Sequence, residues 1–83
     1  MAFVLMTTRR FERSFRKLEQ AVRERVLSRV RELADNPYIG RRLATRPVWY
    51  IRVGDYRVFY HIDEERKLIT LIDVAHRRAA YRR

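Results

Sequence analysis

The sequence predicts an α+β fold in which a helical hairpin packs on one face of a mainly antiparallel, twisted sheet, in the order β-α-α-β-β-β with a short C-terminal helical turn. Three observations carry this. Residues 9–34 place apolar side chains at helical spacing, with Phe11, Phe15 and Leu18 followed by Val22, Val26, Val30 and Leu33. Residues 50–60, Y-I-R-V-G-D-Y-R-V-F-Y, alternate with period two around Gly54-Asp55. Residues 67–75, K-L-I-T-L-I-D-V-A, form a nearly continuous apolar run. Helices followed by a set of strands favour segregated layers.

Taken in order, residues 2–6 read as a short strand buried on both faces, and Thr7 or Thr8 can cap the helix that follows. The first helix spans 9–18, with a narrow apolar stripe and a basic outer face of Arg9, Arg10, Arg13, Arg16 and Lys17. The second spans 20–34, its stripe supplemented by Leu27, and Asn36-Pro37 ends it because the residue before proline is pushed out of the α region. Residues 38–47 form a connection with Leu43 as its anchor into the core and with Arg41, Arg42 and Arg46 as candidates for phosphate contact or simple solvation.

In the hairpin, glycine at the first central position suits a type II′ turn. That turn pairs Val53 with Tyr56, Arg52 with Arg57, Ile51 with Val58 and Trp49 with Tyr60. Trp49, Ile51, Val53, Tyr56, Val58 and Tyr60 then share a core face, while Tyr50, Arg52, Arg57, Phe59 and His61 share the other. Like charges directly opposite on paired strands repel. The Arg52–Arg57 pair therefore implies an anion between the two, or two side chains reaching separately for water; the hairpin alone leaves both readings open. The last strand should follow a two-residue turn at Glu64-Glu65, which sets Thr70 beside Phe59, Ile72 beside Arg57, and Val74 and His76 on Arg57's face. The tail, H-R-R-A-A-Y-R-R, spaces Arg77 and Tyr81 four apart, as one helix face requires.

Eighty-three residues predict one domain, 1–83. The formal charge is +10, with 20 basic residues of which only Lys17 and Lys67 are lysines. A small arginine-rich domain points to a polyanion, most economically nucleic acid. The chain has no cysteine, its apolar opening is too short for a signal peptide, and no apolar run approaches a membrane span, so a cytoplasmic protein without membrane partners is expected. The two histidines, His61 and His76, lie in no metal-binding pattern, and with Gly40 and Gly54 as the only glycines there is no phosphate loop or dinucleotide fingerprint. No cofactor or metal is expected. What converges is Arg52, Arg57, His76, Arg77 and Tyr81 at one end of a sheet. Metal-free RNA cleavage needs a base for the 2′-hydroxyl, cations for the phosphorane, an acid for the leaving oxygen and a stacking platform. Arginines fill the second role, histidine or tyrosine the first or third, and Tyr50 or Phe59 the last.

Asn36-Pro37, R-V-G-D-Y-R-V at 52–58, Tyr60, Ile62-Asp63, His76-Arg77 and Tyr81 together resemble the RelE/ParE toxin superfamily over essentially the whole chain, on its RelE-like mRNA interferase side. The resemblance implies the toxin of a type II toxin–antitoxin system, held by a RelB-like antitoxin, that cleaves mRNA on the ribosome without metal and leaves 2′,3′-cyclic phosphate and 5′-hydroxyl ends. It implies catalytic roles for Arg57, Arg77 and Tyr81, and a substrate contact at Arg52. Tyr50 stands where many relatives carry a second basic residue, and the general base is open among Tyr81, His76 and neither. The alternatives are a ParE-like DNA gyrase poison or a catalytically inactive RNA-binding relative. The H-R-R-A-A-Y ending favours the RelE side.

Overall fold

The computed structural model describes residues 2–80. Its elements are β1 (Val4–Thr7), α1 (Arg9–Arg16), α2 (Gln20–Asp35), a 3₁₀ turn (Pro37–Ile39), β2 (Arg41–Arg42), β3 (Trp49–Val53), β4 (Tyr56–Asp63), β5 (Leu68–His76) and α3 (Arg77–Ala80). The strands form one sheet in the order β1-β5-β4-β3-β2. β1 runs parallel to β5, and every other neighbouring pair is antiparallel.

Phe11 from α1 and Val26, Val30 and Leu33 from α2 pack with Ile51, Val53, Val58, Tyr60, Ile69, Leu71 and Val74 of the sheet. Those sheet residues share one face, so the helical hairpin covers that face, as its spacing predicts. Thr8 is the cap of α1, its hydroxyl accepting from the Phe11 amide at 3.1 Å. The same hydroxyl can donate to either the Leu71 or the Ile72 carbonyl oxygen, 3.0 and 2.9 Å away, which ties the start of α1 to β5. Asn36 ends α2 and its side chain then caps the 3₁₀ turn through the Tyr38 amide.

The β3–β4 hairpin has the four predicted pairings, with Tyr50 beside Phe59 as the fifth. Gly54 has φ +60° and no positive φ occurs at Asp55, the combination a type II′ turn requires. Gly40 is needed for another reason, since a Cβ there would meet the Tyr50 carbonyl oxygen and the Tyr60 hydroxyl. That close approach seats the 3₁₀ turn against β3 and β4, where the Tyr60 hydroxyl donates to the Pro37 carbonyl at 2.7 Å.

Four expectations are corrected. β1 is a sheet edge with Val4 61% and Met6 51% exposed, because strand pairing on one side and helices on one face leave half of it uncovered. Leu27 is 41% exposed, one position past the buried Val26 on a helix whose contact stripe is narrow. The connection after the 3₁₀ turn contains a strand, β2, which pairs Arg41 with Tyr50 and Arg42 with Trp49. The turn after β4 occupies four residues, since Asp63 pairs with Leu68, and Lys67 takes φ +53° to close it.

That longer turn, together with an irregularity at Phe59/Tyr60, moves every pairing of β5. Thr70 lies beside His61, Asp73 beside Phe59 and Ala75 beside Arg57. Val74 and His76 lie beside Val58 and Tyr56, on the helix-bearing side of the sheet.

Candidate functional site

Beside Arg57 and Phe59 of β4, the sheet, α1 and the β2–β3 connection enclose a depression of about 490 Å³ lined by Arg10, Leu43, Arg46, Arg57, Phe59 and Asp73, with neighbouring small and aliphatic residues. Each wall has a local cause. The β2–β3 connection is drawn in by the Leu43 amide donating to the Val48 carbonyl at 2.8 Å, which brings Arg46 to the rim. Alternation along β4 sets Arg57 and Phe59 on the same side. Leu43, expected in the core, lines this depression instead.

Arg57 is half-buried, and its guanidinium lies 4.7 Å from the centre of the Tyr50 ring. A cation over an aromatic face is attracted by the ring quadrupole. Tyr50 therefore supports Arg57, and its own ring is tilted 50° to Phe59 at a centroid separation of 6.1 Å. Phe59 is the aromatic that borders the depression.

Arg52 is paired across the strands from Arg57. Its surroundings are different: it is exposed and lines a second depression, of about 280 Å³, with Arg25, Ser28, Arg29 and the Gly54 turn. The two arginines thus border different depressions, Arg57 being held over Tyr50. Arg77 is exposed at the start of α3, and its amide donates to the Asp55 carbonyl at 2.7 Å. The start of the tail is thus fastened to the β3–β4 turn, two residues beyond Ala75, which pairs with Arg57.

His76 is not beside Arg57. Its ring stands edge-on to Tyr56 at 5.3 Å, and Nδ1 accepts the Arg78 amide at 3.3 Å, so it braces the first turn of α3. Tyr81 lies outside the described residues. The structure therefore brings together Arg46, Arg57 and Phe59 with Tyr50 behind them, ties the Arg77 backbone to the β3–β4 turn, and sets Arg52 and His76 apart.

Two residues of the depression were not foreseen. Asp73 is buried, and its carboxylate accepts from the Ser14 hydroxyl at 2.6 Å, the Val74 amide at 2.9 Å and Arg10 Nε at 3.2 Å. A lone carboxylate inside the apolar run of β5 was the available signal, because such a group is buried only when donors surround it. Arg10 had no comparable mark, being one of five basic residues on the outer face of α1.

Two helices packed on a five-stranded mixed sheet define an α+β toxin-like fold, and comparison with known proteins gives its family. The family described as ParE toxin of type II toxin–antitoxin system, parDE, matches residues 5–81. This chain belongs to that family. Its fold is similar to an E. coli RelE toxin variant in the free state, with TM-score 0.85 and 27% identity over 98% of this chain and 90% of that one. It is likewise similar to the toxin–antitoxin complex RelBE2 from Mycobacterium tuberculosis, with TM-score 0.85 and 24% identity over 92% of each chain. An archaeal RelE–RelB complex from Pyrococcus horikoshii gives TM-score 0.78 and 21% identity over 93% of this chain and 97% of that one. Sequence comparison with curated proteins finds no match. Among the described residues, no helix is long and apolar enough to cross a membrane.

Proposed function

We propose that this toxin is a ribosome-dependent mRNA endonuclease that inhibits translation in the cytoplasm and is neutralised by a RelB-like antitoxin. The observation that carries the reading is Arg57, fixed over Tyr50 at the wall of a depression that Arg46 and Phe59 also line. In the reaction the 2′-oxygen attacks the adjacent phosphorus while the bond from phosphorus to the 5′-oxygen breaks. A base takes the 2′-hydroxyl proton and an acid protonates the leaving oxygen, giving a 2′,3′-cyclic phosphate and a 5′-hydroxyl. Arg57 and Arg77 stabilise the added charge on the phosphorane, where fixed donors act most strongly. Phe59 stacks a base, and Arg46 and Arg52 contact the backbone on either side. Proton transfer falls to Tyr81, whose carry-over rests on the resemblance of the tail. His76, across the sheet from Arg57, serves by orienting that tail.

The test is expression with primer extension across translated messages. Wild-type toxin should give cuts within codons, and Arg57→Ala, Arg77→Ala and Tyr81→Phe should each suppress them while circular dichroism stays native. His76→Gln should retain more activity than Tyr81→Phe. Full toxicity in a folded Arg57→Ala/Arg77→Ala variant overturns the reading. The ParE family match favours a second reading, a gyrase poison; inhibited supercoiling with intact mRNA would select it. For the antitoxin, the +10 charge calls for an acidic partner, and co-purification with the product of the adjacent reading frame is expected.

A further inference from the structure

A carboxylate is the wrong sign for the wall of a phosphate site, yet Asp73 lines the same depression as Arg46 and Arg57. It is 1% exposed and is fixed by its own backbone neighbour and by Ser14, so it cannot swing away. Its consequence is seen on Arg10. The carboxylate takes Arg10 through Nε at 3.2 Å, while the Arg10 side chain remains 58% exposed. A guanidinium presents donors on several edges of a rigid plane, so a partner at Nε orients the plane and leaves the outer Nη edge for a second anion. A free arginine on a helix surface samples many rotamers; this one is oriented in advance.

Resting on the ribonuclease reading of this depression, we infer that Arg10, oriented by Asp73, is a further phosphate-contacting residue of the substrate site. The RNA backbone is then gripped from three elements: α1 through Arg10, the β2–β3 connection through Arg46, and β4 through Arg57. Ser14 and Asp73 are positioning residues, acting through Arg10.

The test measures binding of a 2′-O-methyl RNA hexanucleotide, which cannot cyclise, to the full chain over a range of salt concentrations. The variant is Arg10→Ala/Asp73→Asn, which removes one positive and one negative charge and so keeps the net charge of the wild type. A change in affinity then reports a placed arginine and not bulk charge. Kd should rise by about tenfold or more, as expected for loss of one charge-assisted contact. The slope of log K against log salt should fall by about 0.7, the share of one single-strand phosphate. Native Kd and slope in the folded double variant, with Arg57→Ala weakening binding as expected, would overturn the inference alone. Native binding in Arg57→Ala as well would overturn the ribonuclease reading together with it. If the double variant does not fold, Arg10→Gln keeps an N–H for Asp73 and is judged by the same slope.

Discussion

Tyr60→Phe removes one oxygen from the centre of the fold and should lower stability in a pH-dependent way. The Tyr60 side chain is fully buried and its hydroxyl donates to the Pro37 carbonyl at 2.7 Å. In the variant that carbonyl stays buried without its donor, a loss of about 1–3 kcal/mol. Unfolding entropy near roughly 2.1 cal/mol/K per residue totals about 170 cal/mol/K for this chain, so the melting temperature should fall by about 6–17 °C at neutral pH. The alkaline side supplies a second signature. Burial pushes the Tyr60 hydroxyl from 10.0 up to about 12, opposed by the Gly40 backbone and the Arg29 charge. The folded state therefore holds this proton more tightly than the unfolded one. The associated stability is complete below pH 10 and is lost as pH rises from 10 to about 12, by up to about 3 kcal/mol. Urea unfolding of both proteins from neutral pH to about pH 11 should show a constant gap that narrows once pH exceeds 10, by about 1.4 kcal/mol at pH 11. An unchanged melting temperature at neutral pH, or a gap at pH 11 as wide as at neutral pH, would refute this account of the Tyr60 hydroxyl.

Other substitutions separate packing from surface. Gly40→Ala drives a Cβ into the Tyr50 carbonyl oxygen and the Tyr60 hydroxyl, and should cost about 1–3 kcal/mol in chemical denaturation. Val26→Ala should destabilise by about 2 kcal/mol, whereas Leu27→Lys, one residue along the same helix, should stay within about 0.5 kcal/mol; thermal melts of the pair compare the two sites directly. Arg52→Gln removes a like charge opposite Arg57 and should raise stability by about 0.2–1 kcal/mol. Filter binding of RNA should weaken in that same variant, and unchanged binding would remove Arg52 from the substrate contacts.

The local period of the chain carried much of the fold. Helical spacing from Phe11 to Leu33 and alternation from Trp49 to Tyr60 specify which side of each element is apolar, and the Gly54-Asp55 turn specifies a register, because a two-residue loop leaves only one way to close. Those facts are written in neighbouring residues, so the core faces and the Arg52–Arg57 pair were legible without coordinates. The resemblance of the motifs added the superfamily.

Tertiary structure decided what depends on loop length and on segments far apart in sequence. The four-residue turn before β5 and the irregularity at Phe59/Tyr60 move His76 to the helix side and bring Asp73 beside Phe59. A strand that is apolar at almost every position offers little alternation, so its register depended on the length of the turn before it. Arg10 reaches the depression only because Asp73, 63 residues later, holds it there. Arg52 and Arg57, identical in the hairpin pattern, part company because Tyr50 lies under one and α2 beside the other. The sequence determined the β3–β4 hairpin and its arginine pair; the packing of α1 and the β2–β3 connection against the sheet decided which arginines share a site.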